Sequence, residues 1–285
     1  MTTKIQPGLT HWQSPNFMAF FPAHTTYPSI LGELFSAAFT APAFNWLCSP
    51  ACTELETIVM DWVAKMLGLD DCFLSSGPTH GGGVIQGSAS EAVVVVMIAA
   101  REALVRDRLK AEGLEERPDE SEEERERRED RAAEIKGKLV ALGSEMSHSS
   151  TQKAANMLGV RFRSVSAGQA TQFRMTGANL RKKLLECRDR GLEPFYVTAT
   201  IGTTGTCAVD ELEEIAACKK EYPHLWLHID AAYAGSALIC PEYRELARAG
   251  AIGEFDSFNF NMHKWLLVNF DARYVMLVDL DLDDG

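Results

Sequence analysis

The chain has 285 residues, 46% of them apolar and 24% charged, enough to bury one large core or two ordinary ones. Its 28 Lys and Arg against 40 Asp and Glu leave a formal charge of −12, which excludes nucleic acid or an anionic membrane as a partner bound through a basic face. The longest apolar run, residues 92–100, is about half the roughly 20 residues of a spanning helix and lies between Glu91 and Arg101, so no membrane span is predicted.

The N-terminus, Met-Thr-Thr-Lys-Ile-Gln-Pro-Gly, has no apolar leader segment, and a cytoplasmic location is expected. Seven scattered cysteines, none in Cys-x-x-Cys spacing, predict neither a disulfide framework nor a metal site. Ser49-Pro50 reads as an N-cap and first-turn proline, followed by Leu55, Ile58, Val59, Trp62, Val63 and Met66 at helical spacing. Residues 88–106 predict a second, largely buried helix. Residues 107–138 then carry 13 acidic and 9 basic side chains and read as a solvated surface excursion that buries nothing. Beyond it, strands are expected at 139–142, 160–165, 195–201 and 225–229, separated by helices at 149–157, 179–190 and 211–220, the last capped by Asp210. Two more strands fall near 257–260 and 274–280. Strands alternating with helices predict an α/β fold, a mostly parallel central sheet with helices on both faces. Ligands of such sheets sit at the carboxyl ends of the strands.

The strand at 225–229 delivers Asp230 to its end, where a carboxylate faces a cation or strong donors, or simply caps a loop. Lys264 follows the next strand, between His263 and Trp265; it either snorkels to the surface or is the partly desolvated amine that imine chemistry needs. The segment from Gly81 to Glu91 is a glycine-rich approach into a helix, which offers free backbone N–H groups to a phosphate as readily as it offers close packing. It matches neither a Gly-x-x-x-x-Gly-Lys-Ser/Thr loop nor a Gly-x-Gly-x-x-Gly site. Thr200-Ile-Gly-Thr-Thr-Gly-Thr206 is a hydroxyl-rich turn after a strand, and Ser147-His148-Ser149-Ser150 places a histidine at a strand-to-helix junction. Each is weak alone. On one sheet edge they make the set that holds pyridoxal 5′-phosphate: a lysine for the imine, an aspartate for the pyridine nitrogen and a helix end for the phosphate.

The motifs around these residues resemble the group II pyridoxal-phosphate-dependent amino acid decarboxylases, in particular their aromatic amino acid branch. The carrying segments are Thr10-His-Trp-Gln-Ser-Pro15, Ser49-Pro-Ala-Cys-Thr-Glu-Leu-Glu56, Gly81 to Glu91, His148-Ser-Ser150, Ala199-Thr-Ile-Gly-Thr-Thr204, His228-Ile-Asp-Ala-Ala-Tyr-Ala-Gly-Ser236 and Asp256-Ser-Phe-Asn-Phe-Asn-Met-His-Lys-Trp265. The resemblance implies a fold-type I transferase-like large domain. It implies Lys264 as the Schiff-base lysine, Asp230 as partner of the pyridinium nitrogen, and Ala232 and His148 on opposite ring faces. Ala89, Ser90 and Asn261 would serve the phosphate with Ser257 as helper, and Thr204 would contact the cofactor near its ring substituents. Trp12, Phe20, Pro22 and His24 would line the substrate pocket, with Phe44 reaching across the interface of a homodimer. The implied reaction is a carboxy-lyase step that releases CO2 from an aromatic L-amino acid and leaves the amine.

Three departures stand out. Met262 occupies a position where the family usually has proline, and Ala23 one where the aromatic branch commonly has a substrate-touching threonine. The chain also ends at Gly285, one strand after the lysine, and starts after the family's helical arm. Residues 1–285 are therefore expected to be the cofactor-binding large domain of an incomplete chain, without the arm or the small domain. Two alternative functions follow: the aldehyde synthase branch of the same family, or an inactive fragment that binds cofactor or dimerises.

Overall fold

The computed structural model describes residues 1–21, 23–270 and 273–278. In chain order its elements are α1 (Tyr27–Phe39), α2 (Pro50–Leu67), β1 (Gly82–Gln86), α3 (Ala89–Ala111), α4 (Glu122–Lys136), β2 (Leu139–Ser144), α5 (Ser150–Met157), β3 (Arg161–Val165), α6 (Gly177–Asp189), β4 (Glu193–Thr200), α7 (Leu212–Ala216), β5 (Trp226–Asp230), α8 (Pro241–Arg244), β6 (Ser257–Asn261), α9 (Met262–Trp265) and β7 (Arg273–Leu277). The strands form one seven-stranded sheet in the order β1-β7-β6-β5-β4-β2-β3. Pairs from β6 through β3 are parallel, and β7 runs antiparallel to β1 and β6.

Strand side chains alternate between the two sheet faces, and both faces are covered. Val140, Leu142, Val197, Leu227 and Ile229 pack with residues of α2, α6 and α7, including Leu67, Leu184 and Ile215. Leu139, Ala141 and Tyr196 pack with α3 and α5 on the opposite face. Each fully buried leucine or phenylalanine here contributes about 1.5–3 kcal/mol. Burial on both sides explains why the central strands read as continuous apolar runs rather than as alternation.

Several expectations need correction. The glycine-rich approach at 81–91 contains a strand, β1, which pairs with β7 through Gly82↔Leu277 to Gln86↔Arg273. Asp210 does not cap a helix. It is buried, and its carboxylate accepts the N–H groups of Met175 (2.6 Å) and Thr200 (2.8 Å), tying α6's entry to the end of β4. The helix expected at 211–220 splits into α7 and the 3₁₀ turn Ala217–Lys220. The hydroxyl of Ser49 makes no cap bond to the backbone but donates to Cys52 Sγ at 3.1 Å. Of the strand expected at 274–280, residues 279–280 lie outside the described residues.

The charged excursion is ordered at both ends and does bury side chains. Residues 107–111 complete α3, α4 is closed by a capping box between Ser121 and Glu124, and Leu109 and Ile135 enter the core. Arg128 and Arg131 each grip one carboxylate bidentately, Glu120 and Glu112 respectively. Among the described residues no helix is long and apolar enough to cross a membrane, and all seven cysteines are free thiols.

Candidate active site

Parallel pairing brings the carboxyl ends of β2, β4, β5 and β6 to one sheet edge. These ends lead to His148, Thr204, Asp230 and Lys264. β1 runs in the same direction, so the N-terminus of α3, with Ala89 and Ser90, opens at that edge too. Ser88 caps this helix by accepting Glu91 N–H at 2.9 Å, and the first-turn N–H groups of a helix have no intrahelical acceptors.

The register of β5 and β6 sets Asp230 opposite Asn259 and His228 opposite Ser257. Side chains two apart share a face, so Trp226, His228 and Asp230 line up beside Ser257, Asn259 and Asn261 as a buried polar strip. Asp230, 5% exposed, accepts Ala232 N–H at 3.1 Å and Asn259 Nδ2–H at 3.5 Å, both on Oδ1. Among the described residues no Lys or Arg pairs with it. His228 is fully buried, and that burial, opposed by the Asp230 charge and the Asn259 bond, pushes its imidazole down to about 4.

Lys264 lies in α9, a single turn that starts directly after Asn261. Its Nζ sits 4.8 Å from the centroid of the Phe21 ring. Phe21 stacks on Tyr233 at 4.1 Å, and Tyr233 stacks on Trp265 at 5.0 Å, so the ring under the lysine belongs to a row of three stacked aromatics. Phe21 arrives there because the N-terminal segment is tied to the chain just beyond the lysine. Thr26 Oγ1 donates to Leu267 O at 3.2 Å, Asn269 N–H donates to Ser29 Oγ at 2.6 Å, and Thr25 bonds the Asn269 side chain. Met262, in place of the expected proline, fits as the first residue of α9 and packs against the core.

The remaining predicted residues divide. His148 is exposed beyond β2, and its Nδ1 accepts Ser150 N–H at 3.2 Å, which places any neutral-ring proton on Nε2. Thr204 is exposed at the tip of a turn that Thr203 closes through its N–H to Ala208 O. That turn requires Gly202, whose φ is +84° and whose Cβ position would lie 2.5 Å from Ala234 Cβ. Ala232 and Ala89 are partly buried. Phe20 is 83% exposed and stacks on Trp12; its neighbour Phe21 is the residue that reaches the lysine. His24 is partly buried, Phe44 is exposed, and Pro22 lies outside the described residues. Ser257 opens β6, at the far end from Asn261. Its hydroxyl is engaged by Trp226 Nε1 and His228 Nδ1, each at 2.8 Å, so it cannot help with a phosphate at the strand's end. Phe21, Tyr233, His228 and Asn259 lie beside these residues without a role assigned from the motifs, although the last three stand inside the quoted segments. The available signal is the polar alternation at 226/228/230 and 257/259/261.

Several buried groups here lack partners of their own. Asn261 Oδ1 and Thr200 Oγ1 are buried without a hydrogen-bond partner among the described residues. Asp230 is a buried carboxylate whose donors among the described residues are all on one oxygen, a costly state without a counter-charge. A protonated ring nitrogen at Asp230, an amine-reactive carbonyl at Lys264 and an anion near Asn261 and α3 would complete these groups, so the residues fit pyridoxal 5′-phosphate.

The comparisons with known proteins agree. Residues 1–281 match the model of the pyridoxal-dependent decarboxylase conserved domain. The chain is 47% identical over 269 residues to aromatic-L-amino-acid decarboxylase of Cavia porcellus, covering 94% of this chain and 52% of that protein. It is 46% identical over 268 residues to 3,4-dihydroxyphenylacetaldehyde synthase of Aedes aegypti, covering 94% and 48%. A TDC of Oryza sativa, solved with PLP and tryptamine, superposes with a TM-score of 0.84 at 36% identity over 98% of this chain and 55% of its own. The chain thus spans about half the length of the curated relatives it matches. The fold is that of the fold-type I pyridoxal-phosphate enzymes, the cofactor is pyridoxal 5′-phosphate, and the chain belongs to the pyridoxal-dependent decarboxylase family.

Proposed function

We propose that residues 1–285 form the cofactor-binding large domain of a cytoplasmic, homodimeric enzyme that removes the α-carboxylate of an aromatic L-amino acid as CO2. The observation that carries this reading is the placing of Asp230 and Lys264 at adjacent strand ends of one sheet edge, with no Lys or Arg paired to Asp230 among the described residues. Pyridoxal phosphate, when bound, supplies an electron sink for the pair left behind as CO2 departs. The chain's own residues set that up. Asp230 holds a proton on the ring nitrogen, which keeps the sink electron-deficient. Lys264 would hold the cofactor through its amine, with the Phe21 ring shielding Nζ on one side. Ala89, Ser90 and Asn261 would hold the phosphate, Thr204 would contact the cofactor's ring substituents, and His148 and Ala232 would flank its ring. Trp12, Phe20 and His24 would line one side of the substrate pocket.

The dimer is supported by the N-terminal third. α1 buries none of its residues, and Leu34, Phe35, Phe39, Phe44, Trp46 and Trp62 are all more than half exposed. So large an apolar surface calls for cover, and a second copy of the chain would also set Phe44 against its partner's site.

The test is to add pyridoxal phosphate to the protein, then tyrosine, tryptophan or dopa. A yellow protein that releases amine and CO2, and loses its colour in Lys264→Ala, supports the decarboxylase. The match to an aldehyde synthase favours one second reading: aldehyde with peroxide as the main product would select it. Colour without turnover would leave a cofactor-binding or dimerising unit.

A further inference from the structure

Behind Asp230 lies a hydrogen-bond chain that the decarboxylase chemistry does not itself require. Trp226 Nε1 and Ser257 Oγ are 2.8 Å apart, Ser257 Oγ and His228 Nδ1 2.8 Å, His228 Nε2 and Asn259 Oδ1 2.7 Å, and Asn259 Nδ2 and Asp230 Oδ1 3.5 Å. All five residues are buried. The two ends of this chain fix its direction. An indole nitrogen only donates, so Ser257 accepts from Trp226 and has its own proton to give onward. An ionised carboxylate only accepts, so Asn259 must turn its N–H toward Asp230 and its carbonyl oxygen toward His228. His228 Nε2 therefore carries a proton, and Nδ1 is bare to receive Ser257. The Tyr196 ring stacks on the imidazole at 5.9 Å, and the Tyr196 hydroxyl is held neutral by burial and takes a bond from Thr198. Among the described residues Asp230 is the one charged side chain of this strip, and burial of His228 opposes a second charge there.

We propose that His228 is a positioning residue for the cofactor's ring nitrogen: as the neutral Nε2–H tautomer it orients Asn259, which together with Ala232 N–H occupies Oδ1 of Asp230 and leaves Oδ2 to receive the ring N–H. The inference rests on the pyridoxal phosphate reading of the site. It adds that Trp226, Ser257, His228 and Asn259 act as one unit whose only output is the setting of that carboxylate.

Two measurements test it. The first needs no cofactor. In protein labelled with ¹⁵N-histidine, with His228→Gln assigning the signals, long-range ¹H–¹⁵N spectra should show a proton on His228 Nε2 and a bare Nδ1 at pH 7, unchanged down to about pH 5. A proton on Nδ1, or an imidazolium at pH 7, overturns the proposal. The second is titration of pyridoxal phosphate into the wild type and variants of intact near-ultraviolet circular dichroism, followed by the visible band. His228→Leu and Asn259→Leu should each weaken binding about tenfold, and the double variant should lose no more than either. His228→Gln, which offers a donor and an acceptor in similar places, should recover most of the affinity; a residue needed only to fill space would be rescued by leucine instead. Unchanged affinity in His228→Leu, with the wild type coloured, overturns the relay alone. A wild type that stays colourless overturns the site reading together with it.

Discussion

Phe21 lies nearly parallel to Tyr233, with ring centroids 4.1 Å apart and an interplanar angle of 14°, and Lys264 Nζ stands over the same Phe21 ring. An N-terminal residue thereby closes a site built from β5 and β6, far away in sequence. Such a stacked pair is worth about 0.5–1.5 kcal/mol beyond its area, and the cation contact about 0.5–1 kcal/mol more. Phe21→Ala should release the segment before α1, so that limited proteolysis within residues 10–26 accelerates several-fold while the melting temperature of the sheet stays put. Unchanged cleavage would mean that the Thr25, Thr26 and Ser29 bonds alone hold the segment.

Asp210 predicts a pH dependence of stability. Burial pushes its carboxyl up to about 7, against the two N–H bonds that favour the charge. A folded-state pKa above the unfolded value of 3.8 means the native protein keeps a proton that the unfolded chain has lost. Stability from this group is then complete below the unfolded value, declines as pH rises toward 7 and is lost above it. Urea unfolding at steps from pH 5 to 8 should show the decline. Asp210→Asn should flatten this part of the profile and, by turning an amide N–H toward Met175 or Thr200, cost about 1–3 kcal/mol at pH 5. An equal slope in both proteins would assign the decline elsewhere.

Gly202→Ala places a methyl group within 2.5 Å of Ala234 Cβ at a backbone φ of +84°. Strain and overlap together should cost about 2 kcal/mol or more, lowering the melting temperature by about 4 °C or more. Differential scanning calorimetry reads this directly, and because the turn carries Thr203 and Thr204, cofactor binding should weaken with it.

Ser121→Ala removes the acceptor of Glu124 N–H and half of the capping box of α4. A lost cap of this kind costs about 1 kcal/mol. Amide hydrogen exchange in residues 122–126 should quicken about fivefold, with the visible band of the bound cofactor unchanged. Equal exchange rates would show that the Arg128–Glu120 and Arg131–Glu112 pairs hold this helix without its cap.

Much of this molecule was legible before any coordinates. α2, α3, α5 and α6 follow from apolar residues at helical spacing, and the central strands from short apolar runs between turns. Lys264, Asp230 and Asn261 stand in motifs specific enough to name the cofactor. The failures have physical causes. α1 carries apolar residues on a surface that meets no core within the described chain, so its pattern had no burial to report. β1 is five residues rich in glycine, and only its pairing with β7, nearly two hundred residues later, makes it a strand. Asp210 looked like a cap because its two backbone donors lie on other elements. His228 and Asn259 belong to different strands, and nothing in a linear sequence states the register that brings them to 2.7 Å.

The same register has a consequence for refolding. Sheet side chains alternate, so slipping β6 by one residue against β5 would turn Ser257, Asn259 and Asn261 into the apolar layer and bring Phe258 and Phe260 beside Asp230. A slipped molecule would retain most of its hydrogen-bonded ladder and its helices, and with them its far-ultraviolet spectrum, yet leave Asp230 without its Asn259 donor and Lys264 one residue out of place. The yellow band of a refolded preparation therefore counts correctly threaded molecules, while secondary-structure signals count all of them.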